Sequence, residues 1–401
     1  MKFSKPSQLF LVSSIGLLVA TLLTACSTTT TDYVYVATSA GIETYAVDSQ
    51  SGVLRSVADT VTSGVDSIVA MAVSSDDGDL YIANKGDNSI VRYSIGLHGG
   101  LTKVASVFAP GVPVALAVNA ANTYLYVVSG TTSATLTTYP LTSGTIGSGT
   151  SQTLTVPGYA SDTLVPTGVT VLGNDAAVYV AAWDQSAYNP GAPSGTKFSG
   201  ANSGWVFGFA VGSKGALTEV TSTLGNGAFE AGVRPSALIT DPRFRFLYVT
   251  DYASNQLIGY TIQDGSTLSF FKSTPSKTGN EPSAITIDPR GNFIYVTNLL
   301  DSTVSAYAIT QATGDLTAVT STTGSQLNAT DPQPVSVIVD PALARFVYTA
   351  NYLGNSISGF RMDATAGSLT ATQGTPYNTG SKPTSLVAVP HGNHASESVT
   401  P

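Results

Sequence analysis

Two sets of residues in this 401-residue chain have types and spacing suited to chemistry. Asp66, Arg234, Glu281, Gln333 and Lys382 each head a recurring phrase of small and apolar residues, as in RPSALIT, EPSAITI and QPVSVIV. Lys85, Asp87, Trp183, Asp184, Asp251 and Tyr252 follow copies of a second phrase built on Tyr-Val, as do Asn298, Asp301, Asn351 and Tyr352. Gathered on one concave surface, these residues would set both charge signs beside aromatic faces, which suits a small polar ligand. The competing expectation is that they cap strands and pair with one another.

The histidines narrow the chemistry. His98 falls in SIGLHGGLTKV, a turn between outer strands, while His391 and His394 follow the last strand-like segment. None is expected near the gathered residues, so a Ser-His-Asp mechanism is excluded from the reading. There is no G-x-S-x-G elbow, no H-E-x-x-H and no phosphate-cradling glycine loop. Asp76-Asp77-Gly78-Asp79 lacks the spaced ligands of a calcium loop and reads as a solvated turn. No metal and no cofactor is expected. The formal charge of −8 removes the electrostatic case for nucleic acid.

The elements that must position these residues are short strands. Charged residues make up only 10% of the chain, against 39 glycines and 19 tyrosines. The Tyr-Val phrase occurs seven times, beginning at Tyr35, Tyr81, Tyr126, Tyr179, Tyr248, Tyr295 and Tyr348, each copy in near alternation of apolar and β-branched residues. The other phrase also occurs seven times, and proline starts six copies, as suits the first residue of a strand that needs no ladder donor there. Turns such as Asp288-Pro289-Arg290-Gly291 join the two phrases. A third apolar strand and an x-Leu-Thr strand complete an a-b-c-d meander, at a period suited to four-stranded blades.

The mature chain opens in a b-type strand, Asp32 to Ala37, and closes in an a-type strand, Ser385 to Val389. Pairing them would finish a blade from both termini and leave no open edge in the ring. The expectation is an all-β fold: a seven-bladed β-propeller of four-stranded antiparallel blades over residues 32–390, closed by its N- and C-terminal strands, with a flexible tail at 391–401. The d-to-a and b-to-c connections then meet at one mouth of the channel. The excursion from Trp183 to Trp205, rich in Pro, Gly, Ser and Asn, would stand there as a lid or wall.

The YVTN phrase, with its preceding P-x-x-x-x-DP-x-G run, resembles the YVTN-repeat propellers and the lactonase family of bacterial 6-phosphogluconolactonase and fungal carboxymuconate cyclase. The resemblance covers nearly the whole propeller and implies a lactone-opening site. It implies that Arg234 binds a carboxylate or lactone oxygen and that Asp251 or Glu281 activates water as general base. The chain departs from the family pattern where histidine or arginine is common: Pro235 follows Arg234, Glu281 and Gln333 head blades six and seven, Thr167 and Val169 stand in blade four, and Leu299 follows Asn298. These departures favour a ligand- or partner-binding propeller. A divergent lactonase and a structural repeat domain of a surface assembly are the alternatives.

The N-terminus reads separately. Lys2 and Lys5 precede an apolar run, Leu9 to Leu23, and the sequence Leu23-Thr24-Ala25-Cys26 resembles a lipobox. Cys26 is the sole cysteine. Residues 1–25 are therefore expected to be a lipoprotein signal peptide, with lipidated Cys26 and a short tether at 26–31. The protein would then be held in the cell envelope, by resemblance in the outer membrane, through its lipid anchor alone. The expected partner is a small molecule or an envelope protein of unknown identity.

Overall fold

The structure, a computed structural model, describes residues 29–57, 61–62, 67–156, 163–186, 203–222, 227–271, 275–321 and 324–391. The signal segment, Cys26, Asp66, most of the excursion after Trp183 and the tail beyond His391 lie outside the described residues.

Seven antiparallel sheets form the ring, each running a-b-c-d outward. Blade one pairs strand a from the C-terminus, Pro383–Pro390, with strand b from the N-terminus, Thr30–Thr38. Strand b begins slightly earlier than expected because Thr30 pairs with Asp48 across a bulge. His391 is bound rather than part of the tail: its N–H donates to the Thr31 carbonyl, and its ring meets Tyr33 edge-on at 5.0 Å. Strand d departs from the expected single strand in blades three to seven, where two short pieces pair with opposite ends of strand c. A broken outermost strand presents little continuous edge to another chain. One 3-10 turn, Ser213–Gly215, is the helical element among the described residues, and no helix there is long and apolar enough to cross a membrane.

The repeated phrases earn their repetition in packing. All seven Tyr-Val tyrosines are fully or almost fully buried. Tyr81, Tyr179, Tyr248, Tyr295 and Tyr348 each donate the hydroxyl to a backbone carbonyl in the c-to-d turn of the following blade, at 2.7–2.9 Å. Glycine is required in such turns: Gly314 has φ +80°, and a Cβ there would strike the Phe246 ring at 2.8 Å. Blade two replaces the aromatic with Asp79, which takes both arms of Arg92 at 2.8 and 3.0 Å. Arg92 then reaches the Ser143 carbonyl of blade three.

The aspartate of each DP turn is equally committed. Asp241, Asp288 and Asp340 are buried and accept the backbone N–H groups that begin strand b. Apolar residues fill one cluster at each joint between neighbouring blades. Burial of each large side chain stabilises the ring by roughly 1.5–3 kcal/mol.

Candidate functional site at the channel mouth

Seven equivalent hydrogen-bond positions build the mouth. The residue before strand a offers its carbonyl to the N–H of the residue just past strand b. Tyr252 donates to Arg234, Leu299 to Glu281, Tyr352 to Gln333, Ser39 to Lys382, Lys85 to Ser67 and Gly130 to Val112, all at 2.8–3.1 Å. In blade four, Val165 and Trp183 pair within the ladder. One residue further in, strand a bulges in every blade, skipping Thr384, Val69, Val114, Thr167, Ser236, Ser283 and Val335 in turn. A bulge bends its strand and re-aims a side chain.

These positions divide the mouth in two. Blades five, six, seven and one carry Arg234, Glu281, Gln333 and Lys382 at their heads, whereas blades two, three and four carry Ser67, Val112 and Val165. On the second side a cavity of about 640 Å³ is walled by Val69, Val112, Pro113, Val114, Val165, Pro166 and Trp183, with Lys85, Gly130, Thr131 and Gln185 around it. Blade four is also taller. Its strand b, Ala177–Asp184, runs two residues beyond the six of Phe246–Asp251, lifting Trp183 above the level where the other blades end.

Trp183 joins the two sides. The Arg234 guanidinium lies 4.8 Å from the Trp183 ring and 4.6 Å from the Tyr252 ring, and the two faces hold a half-buried cation at the rim. Lys382 sits 5.1 Å over Tyr352 in the same manner. Glu281 is half-buried with φ +56°, its N–H bonded to Asn255 Oδ1 and its carboxylate without a hydrogen-bond or ion-pair partner among the described residues. Gln333 shares the positive φ, at +57°. Lys85 is exposed beside the cavity.

Four sequence-predicted residues belong to strand ends rather than loops. Asp251, Asn298 and Asn351 are the last residues of their b strands and are fully buried. Asp251 Oδ1 accepts the N–H groups of Arg234, Ala253 and Ser254, and Oδ2 accepts those of Val233 and Gln256 Nε2, at 3.0–3.4 Å. Such a carboxylate has neither solvent access nor a lone pair to spare for water, which argues against its expected part as general base. Asn298 and Asn351 donate Nδ2 to paired hydroxyls, Thr303 and Ser305 in one blade, Ser356 and Ser358 in the next. Asp184 is buried and accepts from Thr163 and Ser186. Asp87 is tied to Asn84 and Ser89, and Asp301 to Asn280.

Sequence reasoning passed over the apolar half. Val112 and Val165 precede Pro113 and Pro166 as Arg234 precedes Pro235, so counting back one residue from each proline finds them. In blade two the equivalent of that proline is Ile68, making Ser67 the head instead of Asp66; Ser67 N–H meets Asn84 Oδ1 as Arg234 N–H meets Asp251 Oδ1. The expected ring of mixed charge is therefore a half-ring. His98 is exposed in its c-to-d turn, and His391 lies at the end of strand a away from the mouth.

Comparison with protein-family models matches the lactonase, 7-bladed beta-propeller family over residues 29–160 and 205–328. The chain belongs to that family. Comparison with curated proteins finds no match. Among solved structures, a putative 6-phosphogluconolactonase from Bacteroides fragilis superposes with a TM-score of 0.71 at 18% identity, over 91% of this chain and 99% of that one. The periplasmic gluconolactonase of Pseudomonas aeruginosa gives 0.71 at 17% identity, over 90% of this chain and all of that one. A protein from Lactobacillus plantarum gives 0.68 at 19%, over 90% and 99%. At these identities the likeness is one of fold.

Proposed function

We propose that the protein binds a small ligand at the channel mouth, in the cavity bounded by Trp183 and beside the Arg234 held against that ring. The observation that carries this reading is a single side chain, Trp183, serving at once as cavity wall and as one face of the Arg234 clamp. A cation fixed between two aromatic faces is oriented before the ligand arrives, which lowers the ordering cost of binding a carboxylate.

A second reading, hydrolysis of a lactone, is supported by membership of the lactonase family and by a periplasmic gluconolactonase among the similar folds. Glu281 is then the carboxylate left to activate water, since Asp251 is fully engaged. Assaying the purified protein against a panel of lactones and their open carboxylates distinguishes the two. Binding without turnover, lost about tenfold in Arg234→Gln, supports the binding reading. Turnover abolished by Glu281→Gln supports the enzyme, and binding unchanged in Arg234→Gln removes the clamp from the account.

The lipobox-like Leu23-Thr24-Ala25-Cys26 supports a tether at the cell envelope. Cys26→Ser is expected to move the protein from the membrane to the soluble fraction; a variant that stays with membranes contradicts the tether.

A further inference from the structure

The two-sided mouth sets the chemical class of the ligand, an inference that rests on the binding reading above. At the level of the strand a bulges, blades five and six present Ser236 and Ser283, whose hydroxyls are both spent on a neighbouring carbonyl, Pro282 and Pro334, at 2.5 and 2.7 Å. Blades two and three present Val69 and Val114 at the same position, and both line the cavity. Val112, Val165 and Pro166 continue that wall upward to the Trp183 ring. Apart from Thr131, Gln185 and the indole N–H of Trp183, this lining offers a ligand no side-chain hydrogen-bonding group but the Lys85 ammonium. A polyhydroxylated sugar acid would leave most of its hydroxyls unpaired against such a wall, at a cost to affinity. An apolar body would fill it, with its charge directed to Lys85 or Arg234.

We infer that the ligand is a small amphiphilic monoanion, an aromatic or medium-chain carboxylate, with its apolar body against Val69, Val114 and Trp183 and its carboxyl oxygens toward Lys85 or Arg234. The charges favour an anion: Arg234 and Lys382 outnumber Glu281, and Lys85 adds a further positive charge at the cavity.

The test is calorimetric titration of the full chain with 3-phenylpropionate, gluconate and the neutral 3-phenylpropan-1-ol. The expected result is 3-phenylpropionate at least about tenfold tighter than gluconate. Val114→Asp, which sets a like charge in the wall, is expected to remove most of that affinity. Lys85→Gln is expected to weaken the carboxylate about three- to tenfold while leaving the alcohol unchanged. Lys85 is exposed and its side chain is bonded to nothing among the described residues, so this variant keeps the test standing if Val114→Asp fails to fold. Gluconate binding as tightly as 3-phenylpropionate would overturn the class while leaving the mouth a ligand site. Binding of neither would overturn both, and 3-phenylpropionate affinity unmoved in both variants would place its site elsewhere.

Discussion

Asp251 and Arg234 show how one pair of neighbours divides between scaffold and site. The Asp251 carboxylate holds the Val233 and Arg234 N–H groups and so fixes the backbone from which the guanidinium reaches Trp183 and Tyr252. Replacing it by asparagine turns one acceptor oxygen into a donor facing other donors. Asp251→Asn is expected to cost about 1–3 kcal/mol in denaturant unfolding, with ligand binding retained well below the melting temperature. Unchanged stability together with abolished turnover would instead make Asp251 catalytic. From sequence the residue stood beside Arg234 as a second chemical group. Its burial was not legible there, because a strand-end aspartate and a catalytic one read alike until the partners of both oxygens are known.

At the scale of the element, most of the blade was legible. Tyr-Val alternation located every strand b, and the prolines marked the first residue of strand a in blades three and five to seven, and in closing blade one. In the stretch Ile287 to Asn298, IDPRGNFIYVTN, Asp288 ties the turn, Tyr295 ties blade six to Gly367 of blade seven, and Asn298 binds strand c. What escaped was the bulge after each inner-strand proline, because a one-residue slip changes the facing of side chains without changing composition. That slip brings Val69 and Val114 into the cavity lining. The two extra residues of strand b in blade four were hidden for a related reason: Trp183-Asp184 read as the start of a loop.

The whole ring is closed by pairing the two ends of the chain, and the closing seam carries an electrostatic cost. Asp32 is fully buried, its Oδ1 accepts the Ala342 N–H at 3.1 Å, and its Oδ2 has no hydrogen-bond partner among the described residues. Burial, and then the charge of Asp340, push its carboxyl up to about 8, with a smaller push from Asp77. Burial also raises Asp340, to about 6, against the N–H groups of Phe346, Arg345 and Leu343 that favour its ionised form. A carboxyl whose folded pKa is raised stabilises the fold in its protonated form. That contribution is complete below the unfolded value near 3.9 and is lost as pH rises toward 8. Stability is therefore expected to fall between about pH 4 and pH 8, and Asp32→Asn to flatten the fall by on the order of 3 kcal/mol in urea unfolding at pH 5 and pH 8. An equal slope in the variant would contradict the seam assignment. The ring so closed holds a mouth whose strand a heads are charged or amide-bearing in blades five, six, seven and one and uncharged in blades two to four. A crystal structure of the protein soaked with 3-phenylpropionate tests that mouth as a ligand site most directly. The phenyl ring is expected against Val69, Val114 and Trp183 with the carboxylate within reach of Lys85 or Arg234; a mouth left empty, or a ligand seated on the opposite face, would contradict a ligand site there.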